Sequence, residues 1–467
     1  MSYLYQQLAA QLVNQISNGH YRPGERLPGV RRFSAQHRVS TATSVAVYRK
    51  LEDEGYIEAR SRSGFYVRLR PSLSSAEPEI SKPKNRPSPV TGQDLALQLV
   101  KASNQSNMIQ LGAAVPAPVY LPTRQIEKAM AKANRLQRQR SAGYEFPPGV
   151  PELRRQVARR LGEIGCSVSV DDIVITNGCQ EALTLALRAT TQPGDVVAIE
   201  SPTFYGLLQV IESLGLKALE IPTHPRDGIS LQALQMALEQ WPVKACILVP
   251  NYSNPLGYCM SESHKQELVA LLTSHQIPLI EDDVYGDLGF SQQRPGVCKS
   301  HDQQGLVLHC SSVSKTLSPG LRVGWIVPGQ YQQAVEYLKF VTNLATPTLP
   351  QLAVAQLLEN GQYERHLRKT RDDYAQAVER MSNAVESLFP EGTRITRPQG
   401  GFVIWVELPD KRDSFSMTRD LLHEGISIAP GPIFSATAKY QSFMRLSCAC
   451  EWNDDIERAL ARIAACF

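Results

Sequence analysis

The sequence predicts a multidomain chain in which a small, mostly helical head with a β wing is tethered to a large α/β body built on a mostly parallel sheet. Three observations carry that expectation. The 467 residues exceed what one ordinary domain holds. A Pro- and Ser-rich stretch from Pro71 to Gly92 has no apolar period and few large side chains, so it reads as a semi-extended linker. Charge is unevenly divided: residues 1–70 hold 11 Lys/Arg against 5 Asp/Glu (+6), the remainder 38 against 40 (−2), within a net charge of +4. The expected divisions are 1–70, a linker over 71–106, and 107–467.

Composition narrows the classes. With 42% hydrophobic and 20% charged residues the chain is globular rather than disordered. No run approaches 18 apolar residues, and Met1 to Gln7 lacks a basic segment ahead of an apolar one, so neither a membrane span nor an export signal is expected. Nine scattered cysteines without a C-x-x-C pair argue against a disulfide framework or a zinc site and fit a reducing cytoplasm. The histidines form no metal-spaced cluster, and no P-loop, dinucleotide fingerprint or H-E-x-x-H occurs. No metal is expected.

In the head, Tyr5, Leu8, Leu12 and Ile16 give a first helix one apolar face, closed by Gly19 and Pro23-Gly24. A short second helix is expected near Val30 to Gln36. Ser40 suits the N-cap of a third helix with a buried stripe of Val47, Tyr48 and Leu51, ended by Gly55. Tyr56 to Ala59 and Phe65 to Val67 read as strands joined through a basic turn. Three helices and a basic hairpin make a winged helix-turn-helix. The order Arg26-Leu27-Pro28, Val39-Ser40, Leu51-Glu52-Asp53-Glu54-Gly55-Tyr56-Ile57 resembles the GntR family of bacterial transcription regulators. That resemblance implies binding of double-stranded operator DNA through Arg31, Thr41, Thr43 and Gly64. Thr41 and Thr43 would reach base edges in the major groove. Arg31, Arg49, Lys50, Arg60 and Arg62 would supply phosphate contacts. Val45-Ala46 stand where family members often carry basic residues.

In the body, β-branched runs alternate with helical stretches: Ile173 to Thr176 then Gln180 to Ala189, Val196 to Ile199 then Leu207 to Leu214, Ala245 to Val249, and Pro278 to Ile280. This alternation predicts a parallel sheet with helices on both faces and ligands beyond the strands' carboxyl ends. Residues there form a set. Lys315 lies in a serine-rich loop seven residues before Arg322; a Schiff-base lysine needs a lowered pKa, which nearby cations promote. Asp282 ends an apolar run and can hold a pyridine nitrogen protonated, while Tyr285 and Asn254 can reach a ring oxygen. Gly178-Cys179-Gln180 opens a helix and suits a phosphate. Phe204 can stack on a ring, and Arg445 can clamp a carboxylate. Singly, these are also a solvated lysine, a strand-end acidic pair, an Asn-Pro turn, a helix start, a core ring and a surface arginine.

Together they resemble the fold-type I pyridoxal-phosphate enzymes, the aspartate aminotransferase superfamily, from about residue 107 onward. The resemblance implies that Lys315 carries pyridoxal 5'-phosphate and that Asp282 partners its nitrogen. By the same resemblance Asn254 and Tyr285 contact the ring oxygen, and Phe204 stacks. Cys179, Gln180, Ser312, Ser314 and Arg322 fall on phosphate-side positions, Arg445 on the substrate carboxylate. Tyr144 matches a tyrosine that crosses a dimer interface. Cys179 departs from the commoner Ser, Thr or Ala.

Head, linker and body together resemble the MocR (GabR-like) subfamily of GntR regulators. The resemblance implies a homodimeric DNA-binding regulator sensing a small amine or amino acid, whose amine displaces Lys315 to form an external aldimine. A working aminotransferase with an accessory DNA-binding head is the alternative.

Overall fold

The computed structural model describes residues 4–17, 21, 24–53, 56–60, 63–67, 75–91, 97, 101, 108–291 and 293–467. The chain divides into two compact units, Met1–Ser75 with Asn383–Ser387 and Ala76–Ser382 with Leu388–Phe467.

The head contains the three expected helices, Leu4–Ser17, Val30–His37 and Thr41–Asp53, and an antiparallel hairpin pairing Ile57–Arg60 with Gly64–Val67. Ser40 caps the third helix, its Oγ accepting from the Thr43 N–H at 3.0 Å. Val47, Tyr48 and Leu51 are 0% exposed, as their spacing predicts. Tyr48 joins the elements: its ring stacks on Phe65 at 4.8 Å and meets Phe33 edge-on at 5.3 Å, and its hydroxyl donates to the Pro28 carbonyl at 2.5 Å. Gly19, Pro23 and Gly55, expected as helix stops, lie outside the described residues.

Part of the expected linker is docked. Residues 76–91 are extended, but they lie along the body rather than running free. Ser88–Pro89 pairs antiparallel with Lys217 and Ala218, the Thr223 N–H donates to Ser81 Oγ at 2.9 Å, and Val90 is buried among apolar side chains. A Pro-rich segment has no internal hydrogen-bond period, yet its free backbone groups and occasional apolar residue can add to a sheet edge.

The body's main sheet runs in the order Ser88–Pro89, Lys217–His224, Val196–Ser201, Val243–Leu248, Leu279–Asp282, Val307–Ser312, Gly324–Val327, Val174–Thr176. Pairings from Lys217–His224 through Val307–Ser312 are parallel, and Gly324–Val327 is antiparallel to both its neighbours. Every residue of Val196–Ser201 is buried, because helices cover both faces. Lys217–His224 was not legible as a strand: Lys217, Glu220 and Pro222 interrupt its apolar run, which is tolerable near a sheet edge. A second, antiparallel sheet of Arg394–Ile395, Val403–Glu407, Phe443–Ser447 and Ala429–Pro430 carries Arg445 opposite Trp405. Among the described residues no helix is long and apolar enough to cross a membrane, and no His/Cys/Asp/Glu group could hold a metal. All nine cysteines are free thiols.

Candidate functional site

Five strands deliver the site from their carboxyl ends. Gly178 and Cys179 follow Val174–Thr176, Phe204 follows Val196–Ser201, and Asn254 follows Val243–Leu248. Asp282 ends its own strand, and Lys315 stands three residues beyond Val307–Ser312. Except for Tyr144, every residue assigned to the cofactor from sequence lines one cavity: Cys179, Gln180, Phe204, Asn254, Asp282, Tyr285, Ser312, Ser314, Lys315 and Arg322.

Lys315 Nζ donates to the Ala114 carbonyl at 2.6 Å. Burial, with the nearby Arg445 and Arg322 charges, brings its ammonium down to about 8 against the pull of Asp282. Burial pushes the Asp282 carboxyl up to about 6, although two donors hold its Oδ1: the Cys179 thiol at 3.2 Å and the Val284 N–H at 3.2 Å. Among the described residues its Oδ2 takes no protein donor. The neighbouring Asp283 faces the other way. It accepts from Asn251 Nδ2 at 2.8 Å and Arg294 Nη2 at 2.5 Å, and lies 3.2 Å from His309 Nε2. The acidic pair therefore splits into one carboxylate in the cavity and one in a buried polar cluster.

Asn254 Nδ2 donates to the Tyr285 hydroxyl at 3.3 Å and its Oδ1 accepts from Arg445 Nη1 at 3.1 Å. Arg445 is 0% exposed, the reverse of a surface arginine. Its Nη2 donates to the Gly112 carbonyl and its Nε has no acceptor among the described residues. Burial lowers its proton affinity, opposed by the phenols of Tyr205 and Tyr285 rather than by a carboxylate.

At the opening of the Cys179–Thr190 helix, Gly178 has φ +81°. A Cβ there would lie 2.5 Å from Arg322 Nη2, so glycine lets the guanidinium close on the backbone, where it donates to the Asn177 carbonyl at 2.7 Å. Buried Lys339 steadies this turn through Glu181 at 2.9 Å, whose carboxylate accepts the Asn177 N–H at 2.6 Å.

Several of the expected site residues have side-chain partners of their own. Cys179 turns its thiol to Asp282, and Gln180 spends its side-chain amide on the Gly206 carbonyl at 2.8 Å, so neither side-chain donor is directed to a phosphate. What they leave for an anion is the open N–H groups of the helix's first turn. The Ser312 hydroxyl accepts from the Ser314 N–H at 3.3 Å. Tyr144 is 71% exposed and outside the cavity, stacked on Phe146. In the head, Arg31, Thr41 and Arg49 are exposed and Lys50 half-buried. The Thr43 hydroxyl is within 2.8 Å of the capping Ser40 hydroxyl, and Arg60 is held by Glu58 at 2.7 Å and by the Tyr66 ring. Gly64, at φ +108°, packs on the Arg26 side chain. Arg62 lies outside the described residues. Sequence reasoning missed the Gly112 and Ala114 carbonyls and the Asp283 cluster, because a backbone acceptor or a buried partner leaves no motif.

Residues 107–463 match the family model "Aminotransferase class I and II" and residues 4–67 the model "Bacterial regulatory proteins, gntR family". Among curated proteins, the uncharacterized HTH-type transcriptional regulator YjiR of Escherichia coli (strain K12) is 39% identical, covering 98% of this chain and 97% of its own length. The aromatic-amino-acid aminotransferase 1 of Thermococcus litoralis is 28% identical over 79% of this chain and 89% of its own. Among solved structures, the kynurenine aminotransferase of Pyrococcus horikoshii superposes with a TM-score of 0.74 at 30% identity, over 79% of this chain and 93% of its own. An aminotransferase body alone would match the last two. A match along the whole length with a regulator requires the head as well, and so the chain belongs to the GntR regulators of MocR-like architecture, a gntR-type head on a class I and II aminotransferase body.

Proposed function

We propose that the chain is a cytoplasmic, DNA-binding transcription regulator whose body holds pyridoxal 5'-phosphate and senses an amino acid. One observation carries the sensor half: a fully buried arginine beside Lys315 that donates only to neutral oxygens. A buried cation without a counter-ion is costly, and a ligand carboxylate on Arg445 relieves that cost.

The cavity fits the cofactor on its own chemistry. Asp282 presents one open carboxylate oxygen, Phe204 a ring, Asn254 and Tyr285 a polar pair, and Arg322 with the first turn of Cys179–Thr190 a cationic end. When bound, pyridoxal 5'-phosphate supplies an aldehyde that takes up a primary amine and a pyridinium that draws electrons. Asp282 would hold the proton on the ring nitrogen, and Tyr285 would donate to the ring oxygen. Lys315 Nζ, with its lowered proton affinity, would be the amine that yields to the ligand's own amine. Asn254 would orient Arg445 toward the carboxylate. The ligand switches transcription only by binding one arrangement of head and body better than another. The exposed rings of Tyr144, Phe146 and Phe340 support a homodimer in which Tyr144 reaches its partner.

Two measurements test this reading. Titrating the cofactor-loaded chain with amino acids while following its visible absorbance should give saturable shifts. Arg445→Gln should weaken that response at least tenfold for carboxylated amines and leave amines without a carboxylate unaffected; equal loss for both classes would refute the clamp. Binding to DNA from upstream of its own gene, followed against salt, tests the head. Arg31→Ala should flatten the slope of log K against log[salt] by about 0.9, the value of one phosphate contact, and an unchanged slope would contradict the docking. Because Lys315 and Arg445 would equally serve transamination, steady keto-acid release at an enzyme-like rate would replace the sensor reading with a catalytic one.

A further inference from the structure

We infer that Cys179 is a positioning residue for Asp282: its thiol, not a phosphate-side hydroxyl, fixes which carboxylate oxygen faces the cavity. The inference rests on the cofactor reading for its purpose, though not for its geometry. Cys179 is the first residue of a helix entered through the left-handed Gly178, and its Sγ lies 3.2 Å from Asp282 Oδ1. The Val284 N–H reaches the same oxygen at 3.2 Å. Two donors, one on the Cys179–Thr190 helix and one on the chain just past the strand Leu279–Asp282, pin Oδ1 and leave Oδ2 open.

Both groups are in the right protonation state. Burial, followed by the Asp282 charge, raises the thiol well above its ordinary value, so it stays a donor. The groups acting on Asp282 are the Cys179 and Val284 donors, Asp283 and Lys315; Asp282 in turn bears on Glu200, Tyr285 and Cys310. Burial and Asp283 work against a charged Asp282, so each donor matters. A thiol is also a weak donor. It orients the carboxylate while withdrawing less charge than a hydroxyl would, leaving Oδ2 a better acceptor for a protonated ring nitrogen.

The test uses the full chain with Cys179→Ala and Cys179→Ser. With pyridoxal 5'-phosphate, Cys179→Ala should raise the dissociation constant roughly five- to tenfold. It should also move the pH titration of the visible absorbance upward by about half a unit. Cys179→Ser should restore the affinity and move the titration below that of the natural chain. Wild-type affinity and titration in Cys179→Ala would overturn the inference, and so would a Cys179→Ser variant as weak as Cys179→Ala. In the cofactor-free chain, the infrared S–H band that disappears in Cys179→Ser should shift in Asp282→Ala; a band that stays put would also overturn it. If pyridoxal 5'-phosphate fails to bind the natural chain, the cofactor reading falls, and the S–H band alone decides the thiol contact.

Discussion

Replacing Lys315 with Ala is expected to abolish covalent attachment of pyridoxal 5'-phosphate and the absorbance response to amines, with DNA binding and thermal stability near those of the natural chain. The separation follows from what Lys315 touches. Among the described residues its Nζ has one hydrogen-bond partner, the Ala114 carbonyl, so little structure depends on it. Its chemistry depends on burial and on Arg445, which bring it to about 8. At pH 7 that leaves roughly a tenth of the amine neutral, against fewer than about one in a thousand for an ordinary lysine. The rate of cofactor uptake by the natural chain should accordingly rise with pH up to about 8 and then level. A Lys315→Ala chain that keeps the covalent band, shown by reduction and mass spectrometry, would place the attachment elsewhere.

The largest stability effect is expected at Asp283. Its side chain is buried and joins Asn251, Arg294 and His309, while Arg294 also bonds Asp287 at 2.6 Å. Asp283→Ala strands a buried guanidinium's partner site and an amide donor at once, a loss of about 3–5 kcal/mol. Burial raises this carboxyl, but Arg294 first and then His309 outweigh it and hold it down, to about 2. A depressed carboxyl stabilises the fold above its unfolded value of about 3.9 and loses that contribution as pH falls toward 2. The natural chain should therefore lose stability in that acid window, and Asp283→Ala, already without the contribution, should show a flatter acid limb. Denaturant unfolding against pH measures both. A change under about 0.5 kcal/mol would show the cluster to be dispensable.

Periodicity made the head readable: the buried stripe of Val47, Tyr48 and Leu51 and the Ser40 cap follow from 3.6-residue spacing and from a hydroxyl's fit to open N–H groups. In the body, continuous apolar runs gave the central parallel strands, and the residues just beyond them gave the cavity's lining. Less legible were Lys217–His224, broken by charge and proline, and the docked segment 76–91, whose backbone pairs without any side-chain pattern.

By itself, then, the sequence determined which residue types stand at the strand ends, because that is a matter of local order along one chain. Only the tertiary structure decided what those residues do to one another. Arg445 meets Asn254 across 191 positions and becomes a buried, uncompensated cation there. Cys179 meets Asp282 across 103, and the pair Asp282-Asp283 is sent to opposite environments. Desolvation and hydrogen bonding depend on distance in space, which falls off within a few ångströms and has no period along the chain.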